Sequence, residues 1–211
     1  MPSENSLGLL SPDERDFVST LPATDRESLR RLAPMLRPSF ASAQERDAAY
    51  TGLGLSDAPT CVIPSEGAEY KWDGRQWLAY DLRRRTFNPN WKYGTTDTKS
   101  ISVGNGTCTG TYLREGPKFT WEIVVVRGST TWVGDGSYSW ELPIPAKNFR
   151  MTGTGYVRSD GLEIECSVVG RSSTSVALVT GGKRIGHDSV ASWAVGAEIV
   201  LYGEAFIGGI L

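Results

Sequence analysis

Apolar and polar residues alternate with a period of two along much of this chain, which is the pattern of half-buried β-strands. The clearest example is a pair of runs joined by a connection rich in Gly, Ser, Thr and Asp. Trp121, Ile123 and Val125 share one face of the first run, and Tyr138 and Trp140 share one face of the second. The pattern predicts an amphipathic antiparallel hairpin whose aromatic face lies in the core of a β-sandwich.

Similar runs follow one another through the C-terminal part of the chain, and turn sequences such as Asp160-Gly161 separate them. Strands at short, regular spacing with no helical period between them indicate an antiparallel β-sandwich of jelly-roll or related type. The fold class is therefore predicted to be mainly β. The predicted strands are 99–103, 108–114, 118–127, 136–142, 148–158, 163–169, 175–180 and 198–207.

The first part of the chain, residues 1–38, has a helical period instead. Two short helices are predicted there, and they bury too little apolar area to fold alone. They must dock either on the β domain of the same chain or on another protein, and we predict an attachment segment. The candidate docking residues are Phe17, Leu21, Leu29 and Leu32.

Residues 39–82 are predicted to form a short helix followed by a small β module. Ser42 and Glu45 have the spacing of a capping box, which starts the helix. The dipeptide Asp73-Gly74 is a hairpin signal between the second and third strands. The predicted strands are 60–63, 68–72 and 76–80. Large aromatic residues are predicted to form the core of the module: Trp72, Trp77 and Tyr80.

The segment 83–92 is polar and basic and contains Pro89, so it is predicted to be a linker into the C-terminal β domain, residues 93–211. Its basic run is short, and the formal net charge of the chain is −2. A nucleic-acid-binding protein needs a clustered basic face, so no nucleic-acid partner is expected.

The composition is that of a globular protein, with 39% apolar and 22% charged residues in a chain of 211. The N-terminus lacks a basic region followed by a long apolar stretch, so neither a signal peptide nor membrane insertion is expected. Cys61, Cys108 and Cys166 are odd in number and far apart, which predicts buried thiols and neither a disulfide framework nor a zinc site. We therefore expect the chain to fold in a cytoplasm.

Several short motifs occur in one order along the chain, and together with residues 39–48 and 70–77 they are distributed over roughly residues 39–211. In this order the chain resembles minor tail proteins of phages that infect actinobacteria, in particular their C-terminal β domain and the short module before it. The resemblance implies a trimeric jelly-roll knob, like those of complement-like and tumour-necrosis-factor-like proteins, in a virion tail tip or fibre. The motifs are 102–107 (SVGNGT), 110–116 (GTYLREG), 137–143 (SYSWELP), 153–156 (GTGY) and 193–196 (WAVG).

No set of residues in the sequence predicts an active site. The one histidine, His187, is in the loop segment Gly-His-Asp-Ser, where adjacent residues do not hold a Ser/His/Asp triad together. Glu163 and Glu165 share one strand face and are predicted to be solvated or interface residues rather than an acid/base pair. We expect no catalytic residues, no metal and no cofactor.

Binding and assembly are better supported by the sequence than catalysis. Trp132 lies in the polar loop 129–136 and is the aromatic residue least expected to be buried in the core, so it is the candidate ligand contact. The last predicted strand is apolar on both faces, and a sandwich buries only one of them. The second face is therefore predicted to contact another subunit through Val200, Tyr202 and Phe206.

The function expected from the sequence is that of a non-enzymatic structural virion protein. Its trimeric β knob would mediate tail assembly and attachment to a host-surface glycan, and residues 1–38 would bind other tail or capsid proteins. Two alternatives remain open. The first is a head fibre or capsid decoration protein, and the second is a glycan-degrading tail enzyme.

Overall fold

A computed structural model gives the structure of most of the chain. By their contacts the residues divide into two units between Arg83 and Arg84. The attachment segment predicted for residues 1–38, including Phe17, Leu21, Leu29 and Leu32, lies outside the described residues apart from Pro38. The structure describes residues 38–51, 59–94, 96, 98–189 and 193–207.

The described part of the first unit contains an α-helix, one turn of 3-10 helix (Pro64–Glu66) and an antiparallel three-stranded β module, and the short helix and the β module agree with the prediction. Strand β2 pairs with β1 on one side and with β3 on the other. The Ser42 hydroxyl caps the helix by accepting a hydrogen bond from the Glu45 N–H at 3.2 Å. The elements are α1 (Ala43–Tyr50), β1 (Thr60–Ile63), β2 (Ala68–Trp72) and β3 (Trp77–Asp81).

The core of this unit differs from the predicted one. Of the three predicted aromatic residues only Trp77 packs against the buried cluster, whereas the Trp72 ring contacts Trp77 and Tyr80 lies outside the cluster. The reason is that residues before β1 and side chains of the helix contribute to the same face of the module. The buried residues are Phe40, Cys61, Ile63, Ala68 and Tyr70.

The turn between β2 and β3 forms at the predicted Asp73-Gly74 dipeptide. Gly74 has a positive φ of 98°, which the turn requires. The Asp73 carboxylate accepts hydrogen bonds from the N–H groups of Arg75 at 2.8 Å and Gln76 at 2.9 Å. These backbone donors stabilise the charged form and lower the pKa of Asp73.

Strands are the main secondary structure in the described part of the second unit, which also contains one turn of 3-10 helix at His187–Ser189. The eight strands predicted for it are all present, although several boundaries differ by a few residues, and three short strands were not predicted. The strands are β4 (Arg85–Phe87), β5 (Trp91–Tyr93), β6 (Lys99–Ser100), β7 (Thr107–Glu115), β8 (Lys118–Val126), β9 (Tyr138–Glu141), β10 (Ala146–Ser159), β11 (Leu162–Ser172), β12 (Ser175–Thr180), β13 (Lys183–Arg184) and β14 (Glu198–Ile207).

These strands form one antiparallel hydrogen-bonded path in the order β7-β8-β14-β10-β11-β12-β9-β5-β6, with β4 on β7 and β13 on β12. Strands β10, β11 and β12 follow one another as hairpins, and β14 returns to lie beside β10. This arrangement is a Greek key. The prediction of a mainly β, antiparallel fold is confirmed. The jelly-roll order, which combines two Greek keys, stays a prediction.

A single hydrophobic core joins strands from both ends of this path. Burial alternates along β8, where Trp121 is 1% exposed, as the period-two pattern predicts. Trp140 of β9 and Trp91 of β5 are in the same buried cluster as Trp121, although four strands separate β8 from β9 in the path. The sheet therefore folds over itself in a β-sandwich-like arrangement.

The predicted hairpin between the two aromatic runs is wrong. Strand β8 pairs with β7 and β14, whereas β9 pairs with β12 and β5. The alternating pattern correctly identified which side chains are buried, but it contains no information about the neighbouring strand. The connection between the two strands, residues 127–137, is also longer than the two to five residues of a usual hairpin loop.

The segment predicted to be a linker, residues 83–92, contributes β4 and the start of β5 to the second unit. Trp91 is 2% exposed in the main core. Phe87 lies directly opposite Gly110 of β7, and its ring occupies the space that a Cβ atom of residue 110 would need. This contact between the Phe87 ring and Gly110 holds the short strand β4 in place against β7.

Candidate ligand-binding groove

The outer face of the second unit, on the side away from the core, carries an open groove of about 720 Å³. Its floor is formed by β10 and β11, β14 lies on one side, and the turn after β12 lies on the other. This volume is within the range of small-molecule sites, about 300–1,000 Å³. The side chains that give the groove its chemical character are Thr154, Tyr156, Glu163, Glu165, Ser167 and Tyr202.

Strand periodicity explains why these side chains share one face. Thr154 and Tyr156 alternate along β10 with inward residues such as Val157, which is 1% exposed. The pairing register places Tyr156 opposite Glu165 of β11 and Thr154 opposite Tyr202 of β14. Residues from the consecutive strands β10 and β11 and from the more distant strand β14 thus form one continuous polar and aromatic surface.

Hydrogen bonds and ion pairs hold one end of the groove in place. The Arg158 guanidinium donates to the Glu163 carboxylate from Nε at 3.0 Å and from Nη2 at 2.6 Å. It also donates to Glu198 at 3.2 Å, and the Tyr156 hydroxyl donates to the same carboxylate at 3.3 Å. Desolvation raises the pKa of Tyr156, and the Glu198 charge adds to that effect. Tyr156 and Glu163 therefore have defined positions before any ligand binds.

Glu165 is different from its neighbour Glu163. Within the described residues, its carboxylate has no hydrogen-bonding or ion-pair partner. Glu165 is exposed and lies between Glu163 and Ser167 on the outer face of β11. Its carboxylate is thus available to a ligand in the groove.

Strand β14, which forms one wall of the groove, carries all three residues that were predicted to form a subunit interface. Tyr202 is 50% exposed and lines the groove, whereas Phe206 is 40% exposed and lies outside it. The Lys118 ammonium lies 5.2 Å from the Phe206 ring centroid. Val200, the third predicted interface residue, is only 7% exposed and lies opposite Val124 and Tyr156. Val200 therefore has little area left for another subunit.

Trp132, the predicted ligand contact, is 52% exposed but does not line this groove. Its ring packs edge-on against Tyr93, with ring centroids 4.9 Å apart, and the backbone N–H of Trp132 donates to the Ser102 carbonyl at 3.0 Å. Nearby, the Asn105 side chain accepts from the N–H and the hydroxyl of Thr130, each at 2.9 Å. The exposed indole is thus held by a hydrogen-bonded pair of loops, and its role in binding stays a prediction.

Among the described side chains, Ser189 and His187 of the loop considered for a triad are not hydrogen-bonded to each other. The Ser189 hydroxyl donates to the Arg184 carbonyl at 2.9 Å and accepts from the Gly186 N–H at 3.0 Å. The His187 Nδ1 atom is buried and has no hydrogen-bonding partner among the described residues. Within the same residues, no group of His, Cys, Asp and Glu could hold a metal ion.

The predicted thiols are free, and two of them are buried. Burial raises the pKa of Cys61 and of Cys108 to about 12 and that of Cys166 to about 11. Cys108 is half-buried, and its thiol donates to the Pro89 carbonyl at 3.5 Å.

In the described part of the chain, no helix is both long and apolar enough to cross a membrane.

The sequence analysis missed the groove and most of its residues. The Asp160-Gly161 turn joins β10 to β11, and both residues have positive φ, 50° and 77°, as in a type I′ turn. A two-residue turn fixes the register, so the position of Tyr156 opposite Glu165 could have been found from the sequence.

Comparisons with known proteins add no assignment: no protein-family model matches the chain, and neither the curated proteins nor the solved structures contain a match.

Proposed function

We propose that the second unit is a non-enzymatic glycan-binding domain that attaches its particle to a host surface. The observation that carries this proposal is the open groove in which Tyr156 and Tyr202 are combined with hydroxyl and carboxylate groups. Sugars present apolar C–H faces and many hydroxyl groups, so aromatic rings and a few polar side chains suit them. The sequence resemblance to tail proteins of actinobacterial phages supports a virion tail tip or fibre as the location.

The rigidity of the groove supports binding as its role. Three strands of one sheet form its floor and one of its walls, and Tyr156 is fixed by Glu198 and by the Arg158 guanidinium, which lies 5.0 Å from the Tyr156 ring centroid. A site that is ordered before binding loses less conformational entropy when the ligand arrives. An open groove on a rigid sheet also accepts a section of a long polymer, as attachment to an envelope polysaccharide requires.

Binding can be tested with purified envelope polysaccharide from an actinobacterium, using co-sedimentation or affinity electrophoresis. Replacing an aromatic side chain that packs on a sugar should cost about 1.4 kcal/mol, which is about tenfold in affinity. We expect this loss for Tyr202→Ala. Phe206→Ala, measured at a concentration where the chain is monomeric, is the matched control, because Phe206 is an exposed aromatic residue on the same strand face outside the groove. Equal affinity of Tyr202→Ala and the unmodified chain would contradict the proposal.

The alternative of a glycan-degrading enzyme makes a different prediction for the same samples. The two carboxylates of a glycosidase must be free to transfer a proton and to attack or activate water. Glu163 is instead engaged by Arg158 through two contacts. We expect no release of reducing ends from the polysaccharide. Release that is lost in Glu163→Gln would replace the binding proposal with an enzymatic one.

Self-association is a second candidate function, and the exposed Tyr202 and Phe206 on β14 favour it. We propose a homotrimer formed through this face, with residues 1–38 attached to another tail or capsid protein. Light scattering after size exclusion at micromolar concentration distinguishes a trimer from the 23.0 kDa monomer. Phe206→Ala should shift the distribution towards monomer, and a monomeric unmodified chain would exclude the trimer. Imaging of assembled particles separates a tail location from a head fibre or capsid decoration protein.

A further inference from the structure

The charges around the groove restrict the class of glycan that it can bind, and this inference rests on the proposed function. The described lining contains two carboxylates, Glu163 and Glu165, and no lysine, arginine or histidine side chain. Arg158 compensates the charge of Glu163 only, so an acidic polysaccharide would bring further negative charge close to the uncompensated Glu165 carboxylate, which is unfavourable. The groove therefore suits a neutral or a positively charged sugar.

Only one of the two carboxylates remains available for a charged ligand. The Glu163 carboxylate already has a cationic partner, since Arg158 contacts it at 3.0 and 2.6 Å. Glu165 has no such partner among the described residues, and it is on the same face of the same strand. An incoming cation would consequently pair with Glu165.

The surroundings of Glu165 also suit a cation. Tyr156 lies opposite it on β10, and Tyr202 forms the wall beyond Thr154. Because the Arg158 guanidinium already lies 5.0 Å from the Tyr156 ring centroid, Tyr202 is the aromatic residue of the lining that is left to attract a cation, and the Glu165 carboxylate adds to this attraction. We propose that the groove binds a glycan containing an amino sugar with a free amine, and that Glu165 is the residue that recognises the ammonium group.

The test compares two hexasaccharides that differ only at this group, a glucosamine hexamer and an N-acetylglucosamine hexamer. Calorimetry on the full chain at slightly acidic pH, where the amines are protonated, should give at least tenfold tighter binding of the glucosamine form. The preference should shrink between about 0.05 M and about 0.5 M salt, because screening weakens a surface charge pair. A uronic acid hexamer serves as the oppositely charged ligand and should bind weakest.

Two substitutions test whether Glu165 itself, rather than the overall negative charge of the outer face, recognises the ammonium group. Glu165→Gln should abolish the preference for the free amine while leaving binding of the N-acetylated hexamer within about twofold. Glu204→Gln is the matched control, because Glu204 is an exposed carboxylate on the same outer face that does not line the groove. It removes the same net charge and should keep the preference.

The possible outcomes distinguish this inference from the proposed function. Equal binding of the amine and N-acetyl forms, or tighter binding of the uronic acid form, overturns the amino-sugar inference and leaves glycan binding intact. A preference that survives Glu165→Gln also overturns it. Failure of every hexamer to bind overturns it as well, whereas the proposed function is decided separately by the envelope polysaccharide and Tyr202→Ala.

Discussion

The contact between Phe87 and Gly110 explains how a segment with the composition of a linker becomes a strand, and it can be tested directly. A Cβ atom added to Gly110 would lie 2.8 Å from Phe87 Cδ1 and nearer still to Cε1 and Cζ. All three of these nearest atoms belong to a side chain, and Gly110 has no positive φ that would itself exclude alanine. Gly110→Ala should therefore displace the ring and loosen β4.

Whether Gly110→Ala destabilises or stabilises the protein should depend on the presence of the Phe87 ring. Forcing a methyl group into a packed space costs about 1–3 kcal/mol, whereas alanine in a strand is about 0.5–1 kcal/mol better than glycine. The expected net loss in the unmodified chain is about 1–2 kcal/mol. In a Phe87→Ala background the space is empty, so the same substitution should stabilise by about 0.5–1 kcal/mol. The coupling energy is then about 2 kcal/mol, within the range found for contacting residues.

Urea unfolding of the four chains of this double-mutant cycle gives the coupling energy, with tryptophan fluorescence and circular dichroism as probes. With a slope of about 2 kcal/mol per molar urea, the Gly110→Ala midpoint should fall by about 0.5–1 M. Thr109→Ala, at an exposed position of the same strand, should change stability by less than about 0.5 kcal/mol. An equal loss with and without the Phe87 ring would refute the reasoning, because the backbone would then be the obstacle.

Other properties of the structure lead to shorter tests. Trp132 is exposed whereas the other six tryptophans are buried or half-buried, so Trp132→Phe should remove most quenching by iodide, and unchanged quenching would contradict the packing. The raised pKa values of Cys61 and Cys166, about 12 and about 11, predict slow reaction with a disulfide reagent at pH 8 until urea is added; a rapidly reacting native thiol would argue against burial. Because the folded-state pKa of Asp73 is lowered, its stabilisation is present above the unfolded value, about 3.9, and is lost as the pH falls through the folded value. Asp73→Ala should thus destabilise at pH 7 more than at pH 2, and an equal effect at both would exclude the charged cap.

The sequence predicted most of the strands of the second unit because their determinants are local. The alternation in β8 places Trp121 in the core, and turn residues such as Asp160-Gly161 end the strands where predicted. Each of these signals depends on residues within a few positions of one another. The same holds for the helix that Ser42 caps.

Strand pairing was not predictable in the same way, because it depends on residues far apart in sequence. The hairpin prediction failed when β14 took the place beside β8 that β9 was expected to occupy. The groove could not be predicted for the same reason, because its complete lining includes residues far apart in sequence. Tyr156 and Glu165 face each other across a two-residue turn, but Tyr202 joins them from a strand that begins at Glu198. Only the complete strand order brings these side chains together.

The position of Tyr202 links the two proposed roles of the outer face. Tyr202 lines the groove and also belongs to the surface proposed for self-association, whereas Phe206 belongs to that surface alone. A subunit that covers Tyr202 would close this side of the groove, so one copy cannot use the face for both purposes at once. Ligand binding and self-association would then oppose each other through mass action. Saturating glycan should shift a trimer towards monomer, and Phe206→Ala should weaken association while leaving the affinity of the monomer for glycan unchanged.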